Sequence, residues 1–454
     1  MSNNTEKDNK LILELKNLQE SFLDTSNKII KDINRQNKIM LRSDKRQQKE
    51  YDQLQNKLEE VIKLEESQKN LLDSFIKLIA EAIDEKSKYT GGHCSRVPIL
   101  SIMLSKAASE SDDEAFKDFK LETNDQLREI EIASWLHDCG KVVTPEYVVD
   151  KATKLETIYN RIHEIRTRFE VIRRDKKIEA LEKELKGEDK ETIDIWLEEE
   201  YEKLNKEFEF VAKTNVGSEF LSDRDIEYLE EISKRTWERN FDDTIGLAHE
   251  EKQRVLKENT TTPQIENILD NKVRHIIDRE YFDYERHKEL GFKTKVPKDL
   301  YNLGEVYNLK VKAGTLTYEE RFKIQEHVMM SIRMLEELPF PEHLKNVPLY
   351  AGAHHETLIG TGYPRELVKE DMPIPARVLA ISDVFEALTA SDRPYKEPKT
   401  LSVAIKILSF MAKDKHLDKD LFKLFLKSGI YKDYAEKYLK KEQIDEVDIE
   451  KYLK

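Results

Sequence analysis

The sequence predicts an all-α protein, a helical bundle with a helical insert and an N-terminal coiled-coil helix. Three observations lead there. Apolar residues recur at helical spacing in segments throughout the chain. The first 68 residues carry a heptad seam. Around Val378, Ile381, Val384, Phe385 and Leu388 a helix is apolar nearly all round, which marks it as buried.

Taken in order, Leu11, Leu15, Leu18, Phe22, Thr25 and Ile29 step by four and three. Tyr51, Leu54, Leu58 and Val61 resume the pattern after a polar break, RSDKRQQKE at 42–50. Residues 1–68 are therefore expected to be a connector helix that self-associates as a homodimer stalk, the alternative being one amphipathic helix folded back on the protein. In the next block, 69–152, His93 follows a Thr90-Gly91-Gly92 start signal and shares a stripe with Val97, Leu100 and Leu104, so its ring should face inward. From 153 to 310 the pattern reads as an insert. Ile158, Ile162, Ile165, Phe169 and Ile172 keep helical spacing, Gly187 falls in a polar turn, and Ile195 to Phe210 reads as a returning helix, together a helical hairpin. All the candidate ligands named below lie outside this insert, so it is expected to shape regulation or assembly and to be dispensable for metal binding.

The bundle should resume over 311–430, with a helical tail at 431–454. DKATKLETIYNRIHE at 150–164 echoes VKAGTLTYEERFKIQEH at 311–327, but the second copy is the better match, with a Thr317 to Glu320 capping box. His327, on a face with Ile324, Val328, Ser331 and Leu335, is therefore the candidate rather than His163.

With 91 acidic against 77 basic residues the formal net charge is −14, which argues against polymeric nucleic acid or an anionic membrane as partner. No stretch approaches the roughly 20 apolar residues that span a bilayer, and MSNNTEKDNK has no signal-peptide core, so a cytoplasmic location is expected. Cys94 and Cys139, each next to a candidate histidine, are expected to be small buried thiols.

HDCGK at 137–141, HHETLIGTGYP at 354–364 and SDVFEALTASDRPYK at 382–396, with His93 upstream and His327 between, form an ordered set. The set resembles the HD-GYP family of bacterial metal-dependent cyclic dinucleotide phosphodiesterases, over roughly 69–152 and 311–430. His93, His137, Asp138, His327, His354, His355 and Asp383 then offer five imidazoles and two carboxylates to one helical core, enough for two divalent ions roughly 3.5 to 4 Å apart with one carboxylate between them. Nitrogen and oxygen ligation without thiolate suits iron or manganese. Ions so held acidify a water for in-line attack on a phosphodiester, with no protein nucleophile.

The resemblance implies cyclic di-GMP as substrate and linear pGpG as product, in second-messenger signalling with a possible signalling protein partner. Asp138 and Lys141 would be catalytic, and the family's matching lysine helps hold the scissile phosphate. Arg393 and Lys396 match positions that grip the dinucleotide, and Gly360, Gly362 and Pro364 make the turn that puts Tyr363 at the site mouth. A dinucleotide-sensing module without turnover, and a phosphohydrolase of another nucleotide, stay open as alternatives.

Two positions depart from the family's pattern. Many members have an aspartate where Ile359 stands, which bears on the geometry of the loop. Where some members carry a glutamate that helps hold a third ion, this chain has Tyr89, so two ions are expected unless Asp84 or Glu85 replaces it. The other histidines, His163, His249, His275, His287, His343 and His416, are expected to be hydrogen-bonded core residues.

Overall fold

The computed structural model describes residues 2–86, 92–217, 220–258, 261–390 and 398–453. It comprises two compact units, 1–75 and 76–454. The first is a single helix. This helix, α1, spans Ser2–Lys86, so that its last residues belong to the second unit. It runs through the polar stretch 42–50 without interruption. Leu11, Leu15, Leu18, Phe22, Ile29, Tyr51, Leu54, Leu58 and Val61 are all exposed along it.

The second unit is built on helices α2 (His93–Glu110), α3 (Asn124–Leu136), α4 (Ile162–Leu185), α5 (Lys190–Val216), α6 (Asp223–Ser233), α7 (Tyr318–Glu336), α8 (Val347–Gly352), α9 (Ile374–Thr389), α10 (Leu401–Lys413), α11 (Lys419–Lys427) and α12 (Ile430–Tyr438). Thr123 and Gln126 close a capping box at the start of α3, and the expected Thr317 to Glu320 box starts α7, each satisfying backbone donors that the first turn leaves open.

The main core joins α2, α9, α10, α11 and α12 through Leu100, Leu104, Ile381, Phe385, Ile405, Leu408, Phe425 and Tyr434. A second core brings Ile76 and Ile83 of α1 onto Ile132 and Leu136 of α3, Leu335 of α7 and Val347 of α8. These two clusters clamp α2, α3, α7, α8 and α9, the helices that carry or flank every candidate ligand.

Within 153–310 the expected hairpin is present as α4 and α5, with Gly187 at φ 86° in the turn between them and Asp189 capping α5. Ile158 lies ahead of α4 and is 90% exposed, so the apolar stripe begins at Ile162. Further helices follow, α6 among them, but four short strands depart from the helical expectation. Strand β1 (Thr236–Arg239) pairs antiparallel with β2 (Gln264–Asn267), and β3 (Ile276–Asp278) pairs antiparallel with β4 (Asp299–Asn302). Each strand is only three or four residues long, too short for an alternation to register in the sequence.

The stretch is also tied into the bundle. Lys151 Nζ, just ahead of it, lies 2.7 and 2.8 Å from the two carboxylate oxygens of Glu320 on α7, with Asn308 Oδ1 at 3.2 Å, and both charged side chains are almost fully buried. Breaking such a pair leaves a buried charge without its partner. Lys151→Met should therefore cost about 3 to 5 kcal/mol of unfolding free energy. In chemical denaturation, adding Glu320→Gln to it should recover part of that loss, whereas independent sites would show additive losses.

Candidate metal centre

The histidine that opens α2, the two residues that close α3, one turn of α7, the end of α8 and the middle of α9 converge on one buried point. Asp138 is at its centre. Its Oδ2 lies 3.4 Å from His93 Nε2, 3.2 Å from His137 Nε2 and 2.5 Å from Lys141 Nζ. Its Oδ1 lies 3.2 Å from His327 Nε2 and 3.9 Å from His354 Nε2. Asp383 Oδ1 adds to the first side, 3.2 Å from His93 Nε2 and 3.8 Å from His137 Nε2. Two sets of potential ligands result, His93 with His137 and Asp138, and His327 with His354 and His355, the ligand atoms within each set lying no more than 4.8 Å apart.

The outer nitrogen of four rings is already committed. His137 Nδ1 is 2.7 Å from Ser134 O, His327 Nδ1 2.5 Å from Ile324 O, and His354 Nδ1 2.6 Å from Ala351 O. A carbonyl accepts only from an N–H, so the neutral form of each of these three rings carries its proton outside and turns the Nε2 lone pair inward. The Nε2 atoms of His137, His327 and His354 are buried and have no hydrogen-bond partner. Lone pairs facing carboxylate lone pairs repel unless a cation lies between them, so the donor set fits divalent metal ions.

His93 differs, for its Nδ1 meets Glu386 Oε2, while Glu386 Oε1 takes the guanidinium of Arg96 at 2.6 Å. This is the carboxylate–histidine pairing that orients a metal-binding ring and raises its basicity. Sequence reasoning missed both partners. The signal was a second acid, one turn after Asp383, in an otherwise apolar helix.

The charges at the centre follow from burial and from these contacts. Burial would raise Asp138, but Lys141 and His137 hold it well below the usual carboxylate range. Burial would lower His137, but Asp138 carries it up to about 9, so with no ion present this ring holds a proton that a bound metal would have to displace. Burial and the neighbouring rings push His354 well below its ordinary value, and burial with His327 pushes His355 down to about 4. The His354-His355 pair is thus neutral, as a ligand must be.

The remaining calls divide. Lys141 sits on a 3-10 turn, Cys139–Val143, rather than on the helix that ends at Leu136, and reaches Asp138 from there. That turn packs on α7, with Gly140 N–H donating to Ser331 Oγ at 2.8 Å and Ser331 Oγ donating to His137 O at 2.9 Å. Tyr363 stacks on His355, ring centroids 4.9 Å apart and planes 19° apart. Gly362 permits the turn, because a Cβ there would lie 2.4 Å from Glu356 Cα. Pro364 follows it in a cis peptide.

Ile359 is about half exposed and pairs with Val368 in an isolated bridge, so it belongs to the outer side of the loop. Arg393, Lys396, Tyr89, Thr90 and Gly91 lie outside the described residues. The six other histidines are not fully buried core residues: His163, His249, His343 and His416 are exposed, and His275 and His287 are partly buried, the His287 ring packing on Phe282 and Phe292. Cys94 and Cys139 are buried free thiols, as expected.

Fold and site agree with a partial match to the HD domain family. The HD domain family model matches residues 247–421, a span that starts inside the interrupting stretch and leaves out His93, His137, Asp138 and Lys141. Over 151 residues the chain is 33% identical to a 3'3'-cGAMP-specific phosphodiesterase of Vibrio cholerae, covering 31% of this chain and 34% of that protein. It is 34% identical over 108 residues to a cyclic di-GMP phosphodiesterase of Thermotoga maritima, covering 24% and 29%. With a cyclic di-GMP phosphodiesterase of Pseudomonas aeruginosa it shares 37% identity over 122 residues, covering 26% and 28%. The chain thus spans about a third or less of the length of these relatives. Over these parts the chain is similar to an HD domain and to these phosphodiesterases.

Two substitutions probe the centre. A Cβ on Gly140 would lie 1.9 Å from His327 O and 2.5 Å from Ser331 N, so Gly140→Ala must push the HD turn away from α7. It should cost about 1 to 3 kcal/mol in thermal unfolding and weaken metal binding. Glu386→Gln keeps the shape but removes the charge behind His93. Metal affinity, read by titrating the apoprotein, should fall about 10- to 100-fold.

Proposed function

We propose that this protein is a phosphodiesterase that hydrolyses cyclic di-GMP to linear pGpG in bacterial second-messenger signalling. The observation that carries the reading is the Asp138 carboxylate, which divides its two oxygens between two groups of inward-facing imidazole nitrogens. His93, His137, Asp138 and Asp383 would hold one divalent ion and His327, His354, His355 and Asp138 a second, with iron or manganese suited to the nitrogen and oxygen donors. Such ions supply an acidified water and charge neutralisation for in-line displacement at phosphorus.

The chain's own residues do the rest. Lys141 brings a positive charge to the edge of the cluster, where a non-bridging phosphate oxygen can meet it. Tyr363, stacked on His355, offers an aromatic face beside the ligands, on a turn shaped by Gly362 and Pro364. Arg393 and Lys396 are assigned to grip the dinucleotide on the strength of their motif alone. The names of the similar proteins agree with a cyclic dinucleotide substrate, and the Vibrio cholerae relative favours 3'3'-cGAMP as the second reading.

Residues 1–68 are assigned as a connector that pairs two chains, because its heptad apolar residues are all exposed. Residues 69–152 and 311–430 are assigned to the catalytic domain, 153–310 to an insert and 431–454 to a tail. No helix among the described residues is long and apolar enough to cross a membrane. We place the protein in the cytoplasm, where the second messenger is found, with a signalling protein as a further partner.

Asp138→Ala should lose metal and abolish hydrolysis, measured by elemental analysis and product chromatography of anaerobically purified protein. Full activity with normal metal content would sink the assignment. Lys141→Ala should keep its metal and lose rate or affinity. Retained binding of the dinucleotide by the wild type with no turnover would favour a sensor instead.

Metal count gives a further test. Glu85 is exposed, whereas Asp84 is buried with its Oδ2 accepting Cys94 N–H at 3.0 Å, so Asp84 is the one residue of the two placed to stand in for the missing glutamate. From the two ligand sets, two metals per chain are expected, with pGpG as the end product and further cleavage to GMP slow or absent. Three tightly bound metals, or rapid conversion to GMP, would overturn the two-ion reading.

A further inference from the structure

The stretch 282–296 lies inside the segment that interrupts the catalytic helices, yet it contacts the loop that carries Tyr363. Lys293 N–H donates to Pro364 O at 2.7 Å, and Thr294 Oγ1 reaches the same oxygen at 3.5 Å. In return Arg365 Nε donates to Leu290 O at 2.9 Å, and its guanidinium lies 5.8 Å from the centre of the Phe292 ring. Leu290 and Phe292 share a buried cluster with Phe322, Val328, Met329 and Ile332 of α7, and Tyr363 packs against that cluster. The tyrosine is therefore held between the His355 ring and a wall built partly by the insert.

The loop's own contacts fix its backbone rather than this ring. Glu356 accepts the N–H of Arg365 at 2.6 Å and of Leu367 at 3.0 Å, and Tyr363 N–H donates to His355 O at 3.3 Å. These bonds leave the ring free to turn about its side-chain torsions. Packing against a rigid apolar wall removes that freedom, and a pre-ordered contact binds its ligand without a further entropy cost.

We propose that segment 282–296, with Phe292 as its central side chain, is the positioning element for Tyr363 and so sets how tightly this site holds the dinucleotide. The proposal rests on the phosphodiesterase reading for its substrate, but the ordering of Tyr363 stands apart from any turnover. It makes the insert part of the substrate site, although none of the candidate ligands lies in it.

Phe292→Ala and Phe292→Leu in the full chain test this by hydrogen exchange, metal content and steady-state kinetics with cyclic di-GMP. In the alanine variant, amides across 356–367 should exchange about tenfold faster, KM should rise about tenfold and kcat stay within about twofold, with metal content unchanged. Leucine, which refills most of the volume, should restore wild-type behaviour. Arg365→Gln removes the donor to Leu290 O and leaves the cluster intact. It should give the same split in smaller degree, and it serves if the alanine variant does not fold.

Unchanged loop exchange in both Phe292→Ala and Arg365→Gln would overturn the proposal. So would a parallel loss of metal and kcat in Phe292→Ala and Phe292→Leu, which would mark Phe292 as a purely structural residue. If the wild type turns over no cyclic dinucleotide, the function reading fails, and the exchange comparison still decides whether the insert orders Tyr363.

Discussion

A single buried carboxylate organises this protein. Asp138 faces inward-turned nitrogens of four histidines and the ammonium of Lys141, all within 3.9 Å, in a deeply buried site backed by the main core and the cluster around Ile83. An ionised carboxylate is tolerated at such depth only when cations compensate it. Much of the architecture around it supplies that compensation or holds it in place. The α3 helix ends at Leu136 so that His137 and Asp138 turn into the cluster, and α7 comes close enough for its backbone to touch Gly140. The rings of His137, His327 and His354 are locked by carbonyls three residues earlier, which costs no additional side chain.

Support for the centre is layered outward. Glu386 and Arg96 stand behind His93, Ser331 behind the His137 carbonyl, and Glu356 behind the turn that presents Tyr363. The stretch 153–310 joins this outer layer. Its Arg168 pairs with buried Glu305, and its Asn308 accepts from the neighbouring Lys151, which meets Glu320 on the helix that carries His327. A long interruption between two halves of a metal site would be expected to loosen it. Here the interruption packs back onto the ligand-bearing helix, so its polar groups act as struts.

How much of this was legible in the sequence follows from the range of each interaction. Heptad and helical spacing are local, and they located α1, the inward faces of α2 and α7, the buried α9 and the α4–α5 hairpin. Capping boxes are local too, and the Thr317 box chose His327 over His163. All seven candidate ligands were nameable because each sits in a short motif. The four short strands were not legible, since three or four residues carry too little alternation. The polar stretch 42–50 looked like a break, but a continuous helix tolerates polar residues on every face where it stays exposed.

By itself, then, the sequence determined the class of fold, the set of candidate ligands and the side each one shows to its own helix. Those depend on residue type and on separations of three or four positions. Only the tertiary structure decided which oxygen of Asp138 faces which histidine, that Glu386 and Arg96 back His93, and that Phe292 and Lys293 brace the Tyr363 loop. These contacts join residues tens to hundreds of positions apart, and their partners are chosen by packing among helices, which no local pattern encodes.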